Sequence, residues 1–136
     1  MALEFFFHDN PNPCWIYDNE TFRFLAVNKS CLTTYGYTED DFIDRLTIFD
    51  LLFPEDQSQF RSYLHVAEPP QISGIWRHIH ASGAVLQVCT YSHQTRLNGR
   101  FCRYVMAVNV QDMFRRIGEQ ALARTREDET PNATEA

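Results

Sequence analysis

Two short turns divide the second half of this chain into three strands, and they limit which residues can face one another. Asn98-Gly99 is the strongest hairpin signal in the sequence, because both residue types accept the positive φ that a two-residue turn needs. Ala81-Ser82-Gly83 supplies a three-residue turn with glycine at the position of positive φ. Around these turns apolar residues alternate over 74–80, 84–97 and 101–110, the two-residue period of a strand.

The turns set a register. A two-residue Asn98-Gly99 loop pairs Leu97 with Arg100, which places Thr90 opposite Ala107 and Val88 opposite Asn109. The three-residue turn pairs His80 with Ala84, and so His78 with Leu86 and Trp76 with Val88. One face then carries Trp76, His78, Leu86, Val88, Thr90, Ser92, Val105 and Ala107. The other carries Ile75, Ile79, Val85, Cys89, Tyr91, Met106 and Val108. Both faces are apolar, so both are expected to be covered. Cys89 falls opposite Val108 and Cys102 opposite Thr95, which argues against a disulfide between them.

The first half reads as two strands and a series of short helices. Apolar runs at 14–17 and 22–27 flank the turn-forming cluster 18–21, and Asn28 can cap a helix over 29–35 that Gly36 stops. Thr38 begins another, with Glu39, Asp40 and Asp41 in its first turn, where the helix dipole favours acids. Phe42, Ile43 and Leu46 form its apolar face. An apolar run over 47–53 ends at Pro54-Glu55-Asp56, where a longer helix starts with Phe60, Tyr63 and Leu64 as its stripe. Pro69-Pro70 closes it.

Size and charge exclude several functions. The chain has 136 residues, is 44% hydrophobic and carries a formal charge of −6, which suits one domain and disfavours a nucleic-acid partner. No run approaches the ~20 apolar residues of a membrane span, and the Phe5-Phe6-Phe7 run is too short for a signal-peptide core. Cys14, Cys31, Cys89 and Cys102 lack CxxC spacing and read as reduced thiols of a cytoplasmic protein. There is no Gly-rich phosphate loop, nucleophile elbow or HExxH. Asp40-Asp41 and Glu55-Asp56 read as helix-start carboxylates, so no enzyme activity is expected. His78 and His80 share a face without a converging carboxylate or cysteine, and no metal site is expected.

The order strand, strand, short helices, longer helix, three strands, together with its motifs, resembles a Per-Arnt-Sim (PAS) sensory domain of bacterial signalling proteins. The resemblance covers residues 10–111. Its carriers are Asn12-Pro13 through Trp15-Ile16-Tyr17-Asp18, Phe24-Leu25-Ala26-Val27-Asn28, Tyr35-Gly36-Tyr37-Thr38-Glu39-Asp40-Asp41-Phe42, Pro54-Glu55-Asp56, and Trp76-Arg77-His78 leading to Ser82-Gly83. It implies an α+β fold, a five-stranded antiparallel sheet with short helices over one face, between N- and C-terminal helical segments. It also implies a sensory role, with the C-terminal helix relaying a signal to a histidine kinase or diguanylate cyclase type of effector, linked or separate. The family's junction carries Asp, then Ile or Val, then Thr; here Asn109, Val110 and Gln111 stand in those places, and the charge is gone.

The resemblance also bears on cofactors. The reactive cysteine of flavin photosensors corresponds to Thr47, which disfavours a cysteinyl-flavin adduct. The haem-ligating histidine corresponds loosely to Gln57, with His65 about two turns on, which disfavours haem. Non-covalent flavin stays open. A candidate ligand cup comprises Trp15, Tyr17, Phe24, Tyr35, Phe60, Trp76, Val88, Val105 and Ala107, with His78 and Thr90 as polar groups. The plainer reading, and the commoner use of such aromatic residues, is a filled core with no guest.

Residues 112–127 have helical spacing, with Phe114, Ile117 and Ala121 on one stripe, and 128–136 read as a frayed tail. Residues 1–9 form a flank whose Phe5, Phe6 and Phe7 need cover; the family resemblance implies that it packs on the outer sheet face or across a dimer, and the alternative function is a ligand-free dimerisation or protein-interaction module with a filled core that uses this flank. The expected partners are therefore a second copy of the chain, an effector, and a small molecule if the cup holds one.

Overall fold

The computed structural model describes residues 7–64 and 72–135. Five strands, β1 (Cys14–Asp18), β2 (Phe24–Val27), β3 (Ile72–Ile79), β4 (Val85–Leu97) and β5 (Arg100–Asn109), form one antiparallel sheet in the order β2-β1-β5-β4-β3. Between β2 and β3 lie α1 (Lys29–Tyr35), α2 (Glu39–Asp44), α3 (Ile48–Leu51), a 3-10 turn (Pro54–Asp56) and α4 (Gln57–Leu64); α5 (Val110–Glu135) follows β5.

The hairpin register holds residue for residue: Leu97 pairs with Arg100, Thr90 with Ala107, Cys89 with Val108, His78 with Leu86 and Trp76 with Val88. Asn98 and Gly99 take φ of 51° and 80°, the left-handed pair of a type I′ turn. In the first turn Gly83 has φ 94°, and His80 N–H donates to the Ala84 carbonyl at 2.8 Å.

The helices are short because each is started and stopped by its own residues. Asn28 accepts from the Cys31 amide at 3.1 Å, and Gly36, with φ 79°, ends α1 by donating to Leu32 at 2.9 Å. Thr38 and Asp41 form a reciprocal capping box at the start of α2. Thr47 starts α3, its amide donating to Asp50 at 2.7 Å.

These caps lay α1 to α4 over one sheet face. Trp15, Tyr17, Phe24, Tyr35, Phe42, Leu51, Leu52, Trp76, Val88 and Ala107 make the core between them.

Several expectations are corrected. Phe22 is not in the second strand: its φ of 62° places it in the turn, where it packs edge-on against Phe49 at 5.1 Å. The outer sheet face is not covered throughout. Among the described residues Ile75 is 64% exposed and Val85 49%. The C-terminal helix starts two residues early, at Val110, directly from β5. It extends through residue 135, across the stretch 128–136 expected to be a frayed tail.

Of the flank, Phe7 packs on the outer sheet face. It is buried against Tyr104 of the outer face, ring centroids 5.8 Å apart. Phe5, Phe6, His65 and Pro69-Pro70 lie outside the described residues.

Candidate functional site

Strand alternation turns Trp15 and Tyr17 of β1, Trp76 and His78 of β3, Thr90 and Ser92 of β4, and Arg103 and Val105 of β5 toward the helices. Phe60 and Tyr63 of α4 and Ile48 of α3 close over them. Together they border a partly open cavity of about 20 Å³, room for a single water.

The candidate cup residues thus fall into two groups. Trp15, Tyr17, Phe60, Trp76, His78, Thr90 and Val105 line the cavity. Phe24, Tyr35, Val88 and Ala107 sit in the surrounding core and do not reach it. Phe24 is taken up by edge contacts with Trp15 and Phe42, at 6.4 and 5.1 Å. The cup is packed with aromatic side chains, and a flavin, which needs a site of several hundred Å³, does not fit them as they stand.

His78 is buried, and its Nδ1 shares a hydrogen bond with the Tyr35 hydroxyl at 2.7 Å. Burial lowers its pKa from 6.5 to about 3, against a smaller opposing pull from Asp56. The ring is neutral at physiological pH, so it orients Tyr35 and holds no charge. His80, on the same strand face, serves the turn: its Nδ1 meets the Ser82 amide at 3.0 Å. The two histidines do not converge, and among the described residues no group of three potential metal ligands occurs. Gln57, the position compared with a haem ligand, donates to the Phe49 carbonyl at 3.3 Å.

The main addition to the expected set is Arg103. It is buried on the inner face, donating from Nε to Ser92 Oγ at 3.0 Å and from Nη2 to the Tyr63 hydroxyl at 2.9 Å. Tyr63 and Ser92 bond each other at 3.1 Å. The sequence contained the signal: Arg103 lies two residues before Val105 on a strand whose inward parity was already set.

At the other end of β5 the inner strand becomes a helix without a break. Asn109 Oδ1 accepts from the Asp112 amide at 3.0 Å, so the residue in place of the family's aspartate caps α5 while uncharged. Val110 is buried and Gln111 is exposed. The first turns of α5 border a cleft of about 300 Å³ that also touches Pro13, Ser30, Thr34 and Arg116.

A family model described as PAS domain matches residues 3–65. Solved structures extend that match over the strands. The PAS domain of a protein from Colwellia psychrerythraea superposes with a TM-score of 0.70 at 17% identity, covering 80% of this chain and 94% of that one.

This chain has the PAS fold, and its residues 3–65 match the PAS family.

Two further PAS relatives agree in fold. A PAS domain of an HTR-like protein from Haloarcula marismortui gives a TM-score of 0.67 at 16% identity, with 80% of this chain and 89% of that one covered. A domain of a sensory box sensor histidine kinase/response regulator from Geobacter sulfurreducens gives 0.63 at 22% identity, covering 77% and 90%. No curated protein matches the sequence. The PAS fold accounts for the packed inner face and for the helix that leaves β5.

Proposed function

We propose that this PAS domain is a relay module that pairs with a second copy of itself along α5 and passes rearrangements of its core to an effector of the histidine kinase or diguanylate cyclase type. The observation that carries this reading is the course of α5. It continues from the inner strand β5 through a capped junction, and it presents Phe114, Ile117 and Leu122 at 64%, 55% and 60% exposure.

Val110, Phe114, Ile117 and Ala121 follow one another at intervals of four, three and four, the spacing of a two-helix seam. A second copy supplies the same stripe in parallel. A helix so joined to β5 moves with the strand, so a change at the inner face is transmitted as a change in helix angle or register.

The second reading is a drug-sized ligand in the aromatic cup. The volume of about 20 Å³ weighs against it, since such sites run to roughly 300–1,000 Å³.

Sedimentation equilibrium tests the proposal. The wild-type chain is expected to have the mass of two copies, and Phe114→Glu with Ile117→Glu the mass of one, with hydrogen-exchange protection of the sheet unchanged. A wild-type monomer at high concentration contradicts it.

A further inference from the structure

We propose that the interior of this domain binds one compact monovalent anion, of halide size, between Arg103 and Trp15. The argument is a count of donors and acceptors. Arg103 is 5% exposed, and a guanidinium does not lose its proton in a protein. Among the described residues no carboxylate pairs with it: its partners are the hydroxyls of Ser92 and Tyr63, with the Tyr63 ring 5.6 Å away. A buried charge held only by neutral groups is costly.

No nearby group supplies the missing negative charge. Burial pushes the phenol of Tyr17 up, against the opposing pull of Arg103, so it stays protonated. His78 is neutral.

The hydrogen-bond inventory is one-sided as well. Trp15 borders the same cavity and is 1% exposed, yet its Nε1–H has no acceptor. An indole N–H can only donate. Ser92 and Tyr63 each accept from Arg103, and the bond between them uses only one of their two hydroxyl protons. The other proton needs an acceptor. An indole, a guanidinium and a spare hydroxyl thus surround about 20 Å³. Their common need is an acceptor that carries negative charge and donates nothing.

Size restricts the guest. The space suits one water-sized atom or slightly more, which admits a halide and excludes a carboxylate-bearing metabolite. An internal water is the competing occupant; it satisfies the indole but leaves the charge unpaired.

The test compares thermal unfolding in sodium bromide and sodium gluconate at matched ionic strength. Bromide ordinarily weakens folded proteins relative to more strongly excluded salts. A bromide-dependent rise in Tm of roughly 3 °C or more therefore reports specific binding. Trp15→Phe, which keeps an aromatic ring and loses the N–H, is expected to reduce the rise, and Arg103→Gln to abolish it. Wild-type crystals grown in bromide should show an anomalous peak within hydrogen-bonding reach of both side chains. A wild-type Tm no higher in bromide overturns the proposal. So does an equal rise in both variants, or cavity density without anomalous signal, which would be a water.

Discussion

The Tyr35 hydroxyl and His78 Nδ1 lie 2.7 Å apart in the buried core, tying the last turn of α1 to the end of β3. The bond also has a protonation state. Burial holds the His78 pKa at about 3, while the unfolded chain titrates near 6.5. Between these values the unfolded state binds the extra proton. The contribution of His78 is therefore complete above about pH 6.5 and falls as pH drops toward 3, by up to ~1.4 kcal/mol per pH unit. Urea unfolding of wild type and His78→Gln across about pH 7 to 4.5 should show the slope in wild type and a flatter line in the variant. The Asp56 carboxyl, held low by its hydrogen bonds to Arg77, acts at more acid pH and does not mask the effect. Parallel slopes would contradict the assignment.

Gly36 is needed twice over. Its φ is 79°, and a Cβ there would stand 2.5 Å from Nε2 of His80. Gly36→Ala is expected to destabilise the domain by more than ~1 kcal/mol. The double variant Gly36→Ala/His80→Ala should recover the steric part and retain the backbone part. Urea midpoints separate the two, and a Gly36→Ala midpoint equal to wild type would refute the requirement.

Asn28 does the work of a cap and of a clamp. Its Oδ1 accepts from Cys14 and Cys31 amides at 3.0 and 3.1 Å, and its Nδ2 donates to the Phe7 and Asn12 carbonyls at 3.0 and 2.9 Å. Asn28→Asp keeps the acceptor and sets a second oxygen against those carbonyls. Hydrogen exchange should quicken across residues 7–14, with a loss of stability of roughly 2–3 kcal/mol. Unchanged protection of that segment would show the clamp to be idle.

What the sequence disclosed and what it withheld follow from how local each determinant is. The β3–β4–β5 register was legible because Asn98-Gly99 and Gly83 fix turn lengths, and parity does the rest. Asn28, Gly36 and Thr38 gave the bounds of α1 and the start of α2 for the same reason. Phe22 misled because an aromatic beside a strand reads as part of it, and only packing on Phe49 shows the left-handed turn. The outer face misled because Ile75 and Val85 have strand composition whether or not anything covers them. Arg103 was missed because residue type was allowed to outweigh position: its parity points inward, and only Tyr63 and Ser92 explain how the charge is received. The cavity itself depends on side-chain volumes from four strands and two helices, which no short pattern encodes.

The central claim is that two copies meet along one stripe of α5. Disulfide trapping tests it most directly, in a Cys89→Ser background that removes the one native cysteine not fully buried. Ile117→Cys is expected to form a covalent dimer rapidly on mild oxidation, and Arg115→Cys, on another side of the helix, to form little. Equal cross-linking at both positions, or none at residue 117, would contradict the account.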